Sequence, residues 1–344
     1  MSEPVALKLT AKDFKSDQEV RWCPGCGDYA ILAAVQQFMP ELRIPRENTV
    51  FISGIGCSSR FPYYMNTYGM HSIHGRAPAI ATGLSVSRPD LSVWVVTGDG
   101  DALSIGGNHL IHALRRNVNL KILLFNNRIY GLTKGQYSPT SEVGKVTKST
   151  PAGSADAPFN PISLALGAEA SFVGRTIDSD RKHLQSVLRA AAEHQGSAFV
   201  EIYQNCNIFN DGAFDQLKEP GTRDDFLIRL EHGQPITFGA EGQFCVVHPP
   251  GGFGLEVRET ASTPAEQIVV HDATVADPAY AFALSRLPGA DLSNTPIGVF
   301  RSVERPTYDS VVQTQVAEAV AAASETPEQQ LAGLLNSGDT WTIV

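Results

Sequence analysis

The sequence lacks any long apolar segment. Across its 344 residues no stretch approaches the run of about 18 uncharged apolar residues that a membrane-spanning helix needs. The first twenty residues, MSEPVALKLTAKDFKSDQEV, also lack the continuous apolar core of a secretory signal. We therefore expect a soluble, cytoplasmic protein without a membrane anchor.

Positive charge is scarce as well. Lys and Arg together number 27 against 36 Asp and Glu, which gives a formal net charge of -9. No three consecutive residues are Lys or Arg, so the sequence contains no obvious basic patch to offset this charge. Because the phosphate backbone of nucleic acids repels an acidic surface, we predict that the protein does not bind nucleic acid.

Cysteine is limited to five residues, Cys23, Cys26, Cys57, Cys206 and Cys245. Disulfide frameworks use paired cysteines and belong to exported proteins, whereas this number is odd and no export signal is evident. Metal binding or redox chemistry is therefore the favoured role for these thiols.

Apolar and small residues are abundant in the sequence. Hydrophobic residues make up 42% of the chain, which also contains 30 glycines, a composition typical of globular proteins and unlike disordered, collagen-like or coiled-coil chains. Apolar, β-branched runs at 48–55, 91–97 and 118–125 alternate with helical segments. This alternation predicts an α/β fold with a mostly parallel sheet flanked by helices.

The pattern divides the chain into three parts. Residues 1–21 are polar and aperiodic and are predicted to form an N-terminal arm, and residues 22–214 carry the α/β pattern of the main domain. The pattern weakens over 215–344, which we predict to be a C-terminal extension packed on the core or on a partner subunit. Within the main domain, residues 135–161 are rich in Gly, Pro, Ser and Thr, which favours a functional loop over a linker.

Polar motifs follow two consecutive predicted strands. Gly98-Asp99-Gly100 ends the first, and Asn126-Asn127 ends the second. In open α/β sheets, ligands bind outside the carboxyl ends of the strands, where a crossover helix brings these two ends together. Carboxylate and amide oxygens suit Mg²⁺ held with a diphosphate, and the predicted helix 104–116 would add backbone amides at its N-terminus.

Cys23 and Cys26 form a Cys-x-x-Cys pair with three possible roles: a redox dithiol, half of a zinc site, or half of an iron-sulfur site. A thioredoxin-like pair follows a strand directly, whereas a polar segment precedes this one. Cys57 and Cys206 each follow a predicted buried strand, at the edge that carries the two polar motifs, and are the favoured partners. Cys245, within GQFCVVH, fits a buried free cysteine.

Together these motifs resemble the beta subunits of 2-oxoacid:ferredoxin oxidoreductases. The resemblance covers residues 20–210 and rests on WCPGCGDYAIL, GIGCSSR, HSIHGRAPAIATGL, GDGDALSIGGNHLIHALRRN and NNRIYGLTKGQYSPTS. It implies a thiamine diphosphate-binding fold of the diphosphate type. In that family the cofactor's ylid attacks the keto carbon, CO₂ leaves, and the resulting enamine passes electrons singly through a 4Fe-4S cluster to ferredoxin before the acyl group passes to coenzyme A.

The resemblance also implies site residues. It assigns one 4Fe-4S cluster to Cys23, Cys26, Cys57 and Cys206. It assigns Mg²⁺ to Asp99, to the side chain of Asn127 and to the carbonyl of Ile129. The full set implied for the cofactor is Gly56, Cys57, Ser58, His74, Gly98, Asp99, Gly100, Asp101, Asn127, Ile129, Gly131, Leu132 and Thr133.

His74 and Lys134 are the candidate catalytic residues. His74 belongs to the His-Gly-Arg element that the resemblance places beside the cofactor, and its alternative role is that of an ordinary loop histidine. Lys134 follows the magnesium ligands in a run that resembles the 2-oxoglutarate-using members of the family. A lysine there could pair with the distal carboxylate that pyruvate lacks, and its alternative is a solvated loop lysine.

The predicted reaction is the reversible, coenzyme A-dependent oxidative decarboxylation of 2-oxoglutarate to succinyl-CoA and CO₂, with ferredoxin as the electron acceptor. Two alternatives stay open. The same chemistry could act on pyruvate or a branched-chain 2-oxoacid, or the chain could be a non-catalytic zinc or iron-sulfur module that docks partners.

One expected residue is missing, the glutamate that activates the cofactor's aminopyrimidine ring. Glu41 and Glu47 lie in a short polar connection next to Pro40 and Pro45, a poor place for a buried carboxylate. The resemblance implies that an alpha subunit with a pyrimidine-binding domain supplies this glutamate. We therefore predict activity only in a complex, expected to be a dimer of alpha-beta heterodimers.

Overall fold

The structure is a computed structural model that describes residues 8–343. The first seven residues of the predicted arm, and Val344, lie outside the described residues. The remainder of the arm contains a 3₁₀ turn at Ala11–Phe14, and the Phe14 side chain is buried in the domain.

The strands are β1 (Thr49–Ser53), β2 (Tyr68–His71), β3 (Ser92–Gly98), β4 (Lys121–Asn126), β5 (Phe172–Ile177), β6 (Ala198–Tyr203), β7 (Leu227–Leu230), β8 (Thr237–Phe238), β9 (Phe244–Val247), β10 (Glu256–Glu259) and β11 (Thr295–Ser302). The helices are α1 (Asp28–Phe38), α2 (Phe61–Tyr64), α3 (Ala77–Ser87), α4 (Asp99–Leu103), α5 (Gly107–Arg116), α6 (Pro161–Gly167), α7 (Arg181–Glu193), α8 (Arg223–Phe226), α9 (Ala279–Ser285), α10 (Tyr308–Ala322) and α11 (Pro327–Leu335).

Eight of these strands form one sheet in the order β2-β1-β3-β4-β6-β5-β11-β7. Every neighbouring pair is parallel except β11 with β5. The mostly parallel sheet flanked by helices is therefore confirmed. Strands β8 to β10 form a separate antiparallel sheet.

The apolar runs of the sequence become strands that are buried on both faces. In β4, Ile122 and Leu124 join one hydrophobic cluster, which includes residues of α3 and α5. Their neighbours Leu123 and Phe125 join a second cluster, with residues of α1 and α7. Because successive side chains of a strand point to opposite faces, a strand covered on both sides must be apolar throughout.

The main sheet continues past the predicted domain boundary. Strands β7 and β11 come from beyond residue 214 and complete the edge of the sheet. The division at that residue stays a prediction, and α10 and α11 are exposed over almost all of their length. Within residues 8–343 no helix is both long enough and apolar enough to cross a bilayer.

The helix predicted over residues 104–116 is present as α5, but it begins three residues later than predicted, at Gly107. The chain turns into α4 directly at Asp99, breaks at residues 104–106, and resumes as α5 at Gly107. The break is held by a hydrogen bond from the amide of Gly106 to the carbonyl oxygen of Asp101. The helix N-terminus beside the polar motifs is therefore that of α4.

Candidate cofactor and metal site

The carboxyl ends of β3 and β4 lie side by side and open into a cleft. Gly98, the last residue of β3, pairs with Phe125 in β4, so Asp99 and the two asparagines after Phe125 emerge at one edge. The cleft is lined by Ile55, Gly56, Cys57, Ser58, His74, Gly98, Asp99, Gly100, Asp101, Phe125, Asn127, Ile129, Tyr130, Gly131, Leu132 and Thr133. All thirteen residues predicted to bind the cofactor are among them, and that binding stays a prediction.

Asp99 is the buried carboxylate of this cleft. Its Oδ2 accepts hydrogen bonds from Ser138 Oγ at 2.5 Å and Thr140 Oγ1 at 2.6 Å. Burial raises the pKa of Asp99 to about 6, although these hydrogen bonds act in the opposite direction. A buried carboxylate of this kind is stabilised in its charged form by a bound cation.

The two asparagines at the end of β4 have different partners. Asn126 donates from Nδ2 to Glu201 Oε1 at 2.8 Å, and Glu201 forms a buried ion pair with Arg175 at 2.7 Å. Asn127 turns into the cleft, and its Oδ1 accepts the backbone N–H of Ile129 at 3.1 Å. Asn126 therefore anchors the strand end in the core, which leaves Asn127 as the candidate ligand.

Asp101 joins two loops that border the cleft. Its Oδ1 accepts the backbone N–H groups of Gly75 at 2.8 Å and Ile55 at 3.1 Å, and its Oδ2 accepts Thr97 Oγ1 at 2.7 Å. His74 lies beside it, with Nδ1 3.9 Å from Asp101 Oδ1 and a side chain that is 60% exposed. The His74 ring is therefore accessible to a ligand, whereas the Asp101 carboxylate is already hydrogen-bonded to the loops that contain Ile55 and Gly75.

Gly75 is required by the close approach of these loops. Its φ of +69° lies in the left-handed region, and a Cβ added there would stand 2.4 Å from the Cα of Gly106. Any larger residue would separate the His-Gly-Arg loop from the α4–α5 turn.

A second cavity, of about 220 Å³, collects four of the five cysteines. It is lined by Arg21, Trp22, Cys23, Cys26, Cys57, Arg60, Asn127, Gly131, Leu132, Lys134, Cys206, Asn207 and Phe209. Cys245 lies elsewhere, fully buried and free in β9, as predicted.

Hydrogen bonds hold the Cys-x-x-Cys loop against the end of β6. The amide of Gly27 donates to the carbonyl oxygen of Asn205 at 3.1 Å, and Asn207 Nδ2 donates to the carbonyl oxygen of Pro24 at 2.7 Å. On the other side, Trp22 Nε1 donates to the carbonyl oxygen of Cys57 at 2.6 Å. Three separate parts of the chain are thereby fixed around one cavity.

The cavity disfavours the thiolate form of cysteines that have no bound metal. Burial, reinforced by the nearby Asp28 carboxylate, raises the pKa of Cys57 to about 12 and raises the pKa of Cys26 still further. Burial also raises the pKa of Cys206. Thiolates in such a place need a positively charged centre to stabilise them.

The four thiols surround a space and do not meet at a point. Over residues 8–343, no group of three or more His, Cys, Asp or Glu side chains is placed to hold a single metal ion. Gly131 lies between two of the sulfurs, and a Cβ added there would be 3.5 Å from the Sγ atoms of both Cys57 and Cys206. The missing side chain keeps this space open.

The two cavities are neighbours. Four residues line both of them: Cys57, Asn127, Gly131 and Leu132. Lys134 borders the cysteine cavity and is absent from the lining of the cleft, where the sequence suggested a contact with substrate. Its φ of +77° turns the chain at this point.

Several residues of the site were missed from the sequence. Ser138 and Thr140 contact Asp99 from the loop 135–161. Both lie in the motif NNRIYGLTKGQYSPTS, but nothing in the sequence pattern singled them out. Tyr130, Ile55 and Phe125 complete the cleft, and each lies within two positions of a predicted site residue in the chain.

The chain resembles proteins of known family over almost its whole length. The family described as "Thiamine pyrophosphate enzyme, C-terminal TPP binding domain" matches residues 54–202. The chain is 67% identical over 334 residues to 2-oxoglutarate oxidoreductase subunit KorB of Mycobacterium tuberculosis, an alignment that covers 96% of this chain and 88% of that protein. It is 46% identical over 190 residues to 2-oxoacid:ferredoxin oxidoreductase 1, subunit beta, of Aeropyrum pernix, covering 55% of this chain and 60% of that protein.

A solved structure supports the same relationship. It is that of a 2-oxoglutarate:ferredoxin oxidoreductase from Magnetococcus marinus with 2-oxoglutarate, coenzyme A and succinyl-CoA bound. The match has a TM-score of 0.74 at 34% identity and covers 95% of this chain and 96% of that one. This chain therefore belongs to the beta subunits of the 2-oxoacid:ferredoxin oxidoreductases, as its motifs predicted, with the thiamine diphosphate-binding α/β fold of that family.

Proposed function

We propose that the chain is the beta subunit of a 2-oxoglutarate:ferredoxin oxidoreductase. With an alpha subunit, it would carry out the reversible, coenzyme A-dependent oxidative decarboxylation of 2-oxoglutarate to succinyl-CoA and CO₂. The observation that carries the proposal is the contact between the two cavities, because one cleft suited to a diphosphate cofactor shares four lining residues with a cavity lined by four thiols.

The cleft fits magnesium and thiamine diphosphate. Asp99, Asn127 and the carbonyl of Ile129 supply the hard oxygen ligands that Mg²⁺ prefers, and the buried Asp99 carboxylate gains a cation to offset its charge. An added Cβ at Gly98 would meet nothing closer than Ser58 Oγ at 3.4 Å, so a phosphate oxygen has room to approach the backbone there, whereas at Gly100 the same space is filled by the Tyr130 ring. When bound, thiamine diphosphate supplies carbanion stabilisation at the carbon from which CO₂ departs.

The cysteine cavity fits a 4Fe-4S cluster on Cys23, Cys26, Cys57 and Cys206 better than it fits zinc. Zn–S bonds of about 2.3 Å would bring four sulfurs within about 4 Å of one another around one point. The thiols instead surround an open space, which a side chain at position 131 would enter if Gly131 were a larger residue. Such an arrangement suits a centre that contains several atoms.

Electron transfer is served by the residues common to both cavities. Cys57 and Gly131 stand between the cleft and the space enclosed by the thiols. An electron that leaves the cleft would pass the residues that line both cavities to reach the cysteine cavity, and ferredoxin is the proposed acceptor beyond it.

His74 and Lys134 are proposed to act on the substrate side. His74 is exposed at the mouth of the cleft, with its Nδ1 3.9 Å from Asp101 Oδ1, so its ring is available to the reacting groups or the diphosphate. Lys134 is proposed to favour 2-oxoglutarate by pairing with its distal carboxylate. Two features of Lys134 support this proposal: its positive charge, and its position two residues after Leu132, which lines both cavities.

The need for an alpha subunit is supported by the composition of the cleft. In the described part of the chain, the carboxylates that line it are Asp99 and Asp101, and no glutamate is among them. Glu41 is paired with Arg189 on the surface, and Glu47 lies in a short 3₁₀ turn at Arg46–Asn48. The activating glutamate is therefore proposed to come from the pyrimidine-binding domain of the alpha subunit, within a dimer of alpha-beta heterodimers.

The test is to purify the alpha-beta complex anaerobically and to measure its iron, sulfide, zinc and thiamine diphosphate. A panel of 2-oxoacids is then assayed with coenzyme A and either ferredoxin or a viologen dye. We expect about four irons and four sulfides per beta chain, with 2-oxoglutarate as the preferred substrate and no turnover by the beta chain alone. A zinc-only protein would overturn the mechanism, and a preference for pyruvate or a branched-chain 2-oxoacid would overturn the substrate assignment.

A further inference from the structure

We propose that Gln204 is a positioning residue that sets the reduction potential of the cluster through a hydrogen bond to the sulfur of Cys26. The inference rests on the proposed 4Fe-4S cluster and concerns a residue that none of the motifs singled out. It assigns a function to the residue directly after β6, two positions before Cys206.

The contact is between an amide nitrogen and a sulfur. Gln204 Nε2 lies 3.3 Å from Cys26 Sγ and donates to it, and the same group donates to the carbonyl oxygen of Asn205 at 2.5 Å. Over residues 8–343, Gln204 is the one residue whose side chain donates a hydrogen bond to a cysteine sulfur.

The side chain has little freedom to adopt another arrangement. Gln204 is 1% exposed, and its backbone amide donates to the carbonyl oxygen of Asn126 at 3.0 Å, which fixes it at the end of β6 beside β4. Gly27 packs against it, since a Cβ added to Gly27 would lie 3.0 Å from Gln204 Cγ. The donor is therefore held in place by both the sheet and the Cys-x-x-Cys loop.

The direction of the effect follows from charge. When the cluster accepts one electron from the cleft side, negative charge on its sulfur ligands increases, and an N–H donor aimed at one of those sulfurs stabilises the reduced state more than the oxidised state. The bond therefore raises the reduction potential. A glutamine amide does not titrate, so Gln204 neither gains nor loses a proton when the cluster is reduced. The electron then passes from the cluster to ferredoxin.

The experiment compares two buried glutamines in the alpha-beta complex. Gln204→Met keeps the length of the side chain and removes the donor. Gln36→Met is the matched control, because Gln36 is also buried but its Nε2 donates to a carbonyl oxygen, that of Tyr64, at 3.0 Å. Midpoint potentials are measured by redox titration followed by electron paramagnetic resonance, alongside iron and sulfide analysis.

We expect Gln204→Met to retain its iron and to show about a tenfold lower ratio of reduced to oxidised cluster at the wild-type midpoint, equal to a shift of about −59 mV for one electron. Gln36→Met should keep the wild-type midpoint. An unchanged midpoint in Gln204→Met at full iron content would overturn the inference and leave the proposed function standing.

A second variant covers the case in which Gln204→Met fails to assemble. Gln204→Leu also removes the donor and places a smaller apolar side chain there, so its midpoint should fall by a similar amount. Loss of the cluster from both variants, with Gln36→Met intact, would make Gln204 a residue that only holds the loop and would overturn the inference. A wild-type complex without an iron-sulfur signal would instead refute the proposed function itself.

Discussion

Ser138 Oγ donates to Asp99 Oδ2 at 2.5 Å across 39 residues of sequence. Ser138 is buried within the otherwise irregular loop 135–161, so this loop closes over the carboxyl ends of β3 and β4. Thr140 Oγ1 also contacts the same oxygen, at 2.6 Å. The loop thus fixes one oxygen of the carboxylate, and in the described residues no side chain hydrogen-bonds the other, Oδ1.

Replacing Ser138 by alanine should weaken the binding of Mg²⁺ with thiamine diphosphate by about 10- to 100-fold, the usual cost of losing a hydrogen bond that orients a metal ligand. Calorimetric titration of the complex with both ligands measures the change. Ser154→Ala is the matched control, because Ser154 is buried in the same loop but bonds to Glu142 and Lys145. Equal affinities for Ser138→Ala and the wild type would contradict the role given to Ser138 in orienting Asp99.

The position of Asp99 and Asn127 could be predicted because it follows from strand periodicity. Each motif ends an apolar run, and parallel neighbours bring their carboxyl ends to one edge, as the pairing of Gly98 with Phe125 shows. Cys57 and Cys206 could be placed at that edge for the same reason, and both line the cavity that adjoins the cleft.

The contacts made by Ser138 and Gln204 could not be predicted because they depend on the course of irregular chain. Loops carry no periodic signal, and a buried glutamine at the end of a strand is indistinguishable in sequence from an exposed one. The break between α4 and α5 was missed for a related reason, since it depends on the close approach of Gly106 to Gly75, a contact between distant segments.

Gly131→Ala should reduce the iron and sulfide content of the complex severalfold. The φ of Gly131 is not among the positive ones, so the backbone accepts alanine, but the new methyl would stand 3.5 Å from the sulfurs of Cys57 and Cys206, in the space proposed for the cluster. Gly83→Ala is the control, because a Cβ at Gly83 in α3 meets nothing within 4 Å. Full iron content in Gly131→Ala would show that the cluster does not occupy this space.

Lys134→Met should lower the ratio of kcat/KM for 2-oxoglutarate to that for pyruvate by about tenfold, since the variant cannot form the proposed ion pair with the distal carboxylate. Lys148→Met, in an exposed part of the loop 135–161, is the control. An unchanged ratio would remove Lys134 from substrate selection. A changed cluster potential in that case would assign it to the cysteine cavity, which its side chain borders.

The stability of the folded chain should fall as the pH drops below about 6.5, and His183 should account for part of the loss. Burial, with a further contribution from Arg229, lowers the pKa of His183 from 6.5 to about 4. The unfolded chain therefore takes up a proton between these values while the folded chain does not, so stability present above pH 6.5 is lost as the pH falls. Between about pH 7.5 and about pH 5 this single group should remove about 2 kcal/mol from the free energy of unfolding.

Urea titrations of the full beta chain at those two pH values measure this loss. His183→Gln should make the difference between the two pH values smaller by about 2 kcal/mol, whatever it does to stability at neutral pH through the lost contact with Thr176 Oγ1. His248→Gln, the same substitution at an exposed position, is the control. The residual slope in His183→Gln should come in part from His194, whose pKa burial also lowers to about 4. If His183→Gln kept the full wild-type difference, His183 would have to be protonated in the folded chain at pH 5, and its ring would then be in contact with water.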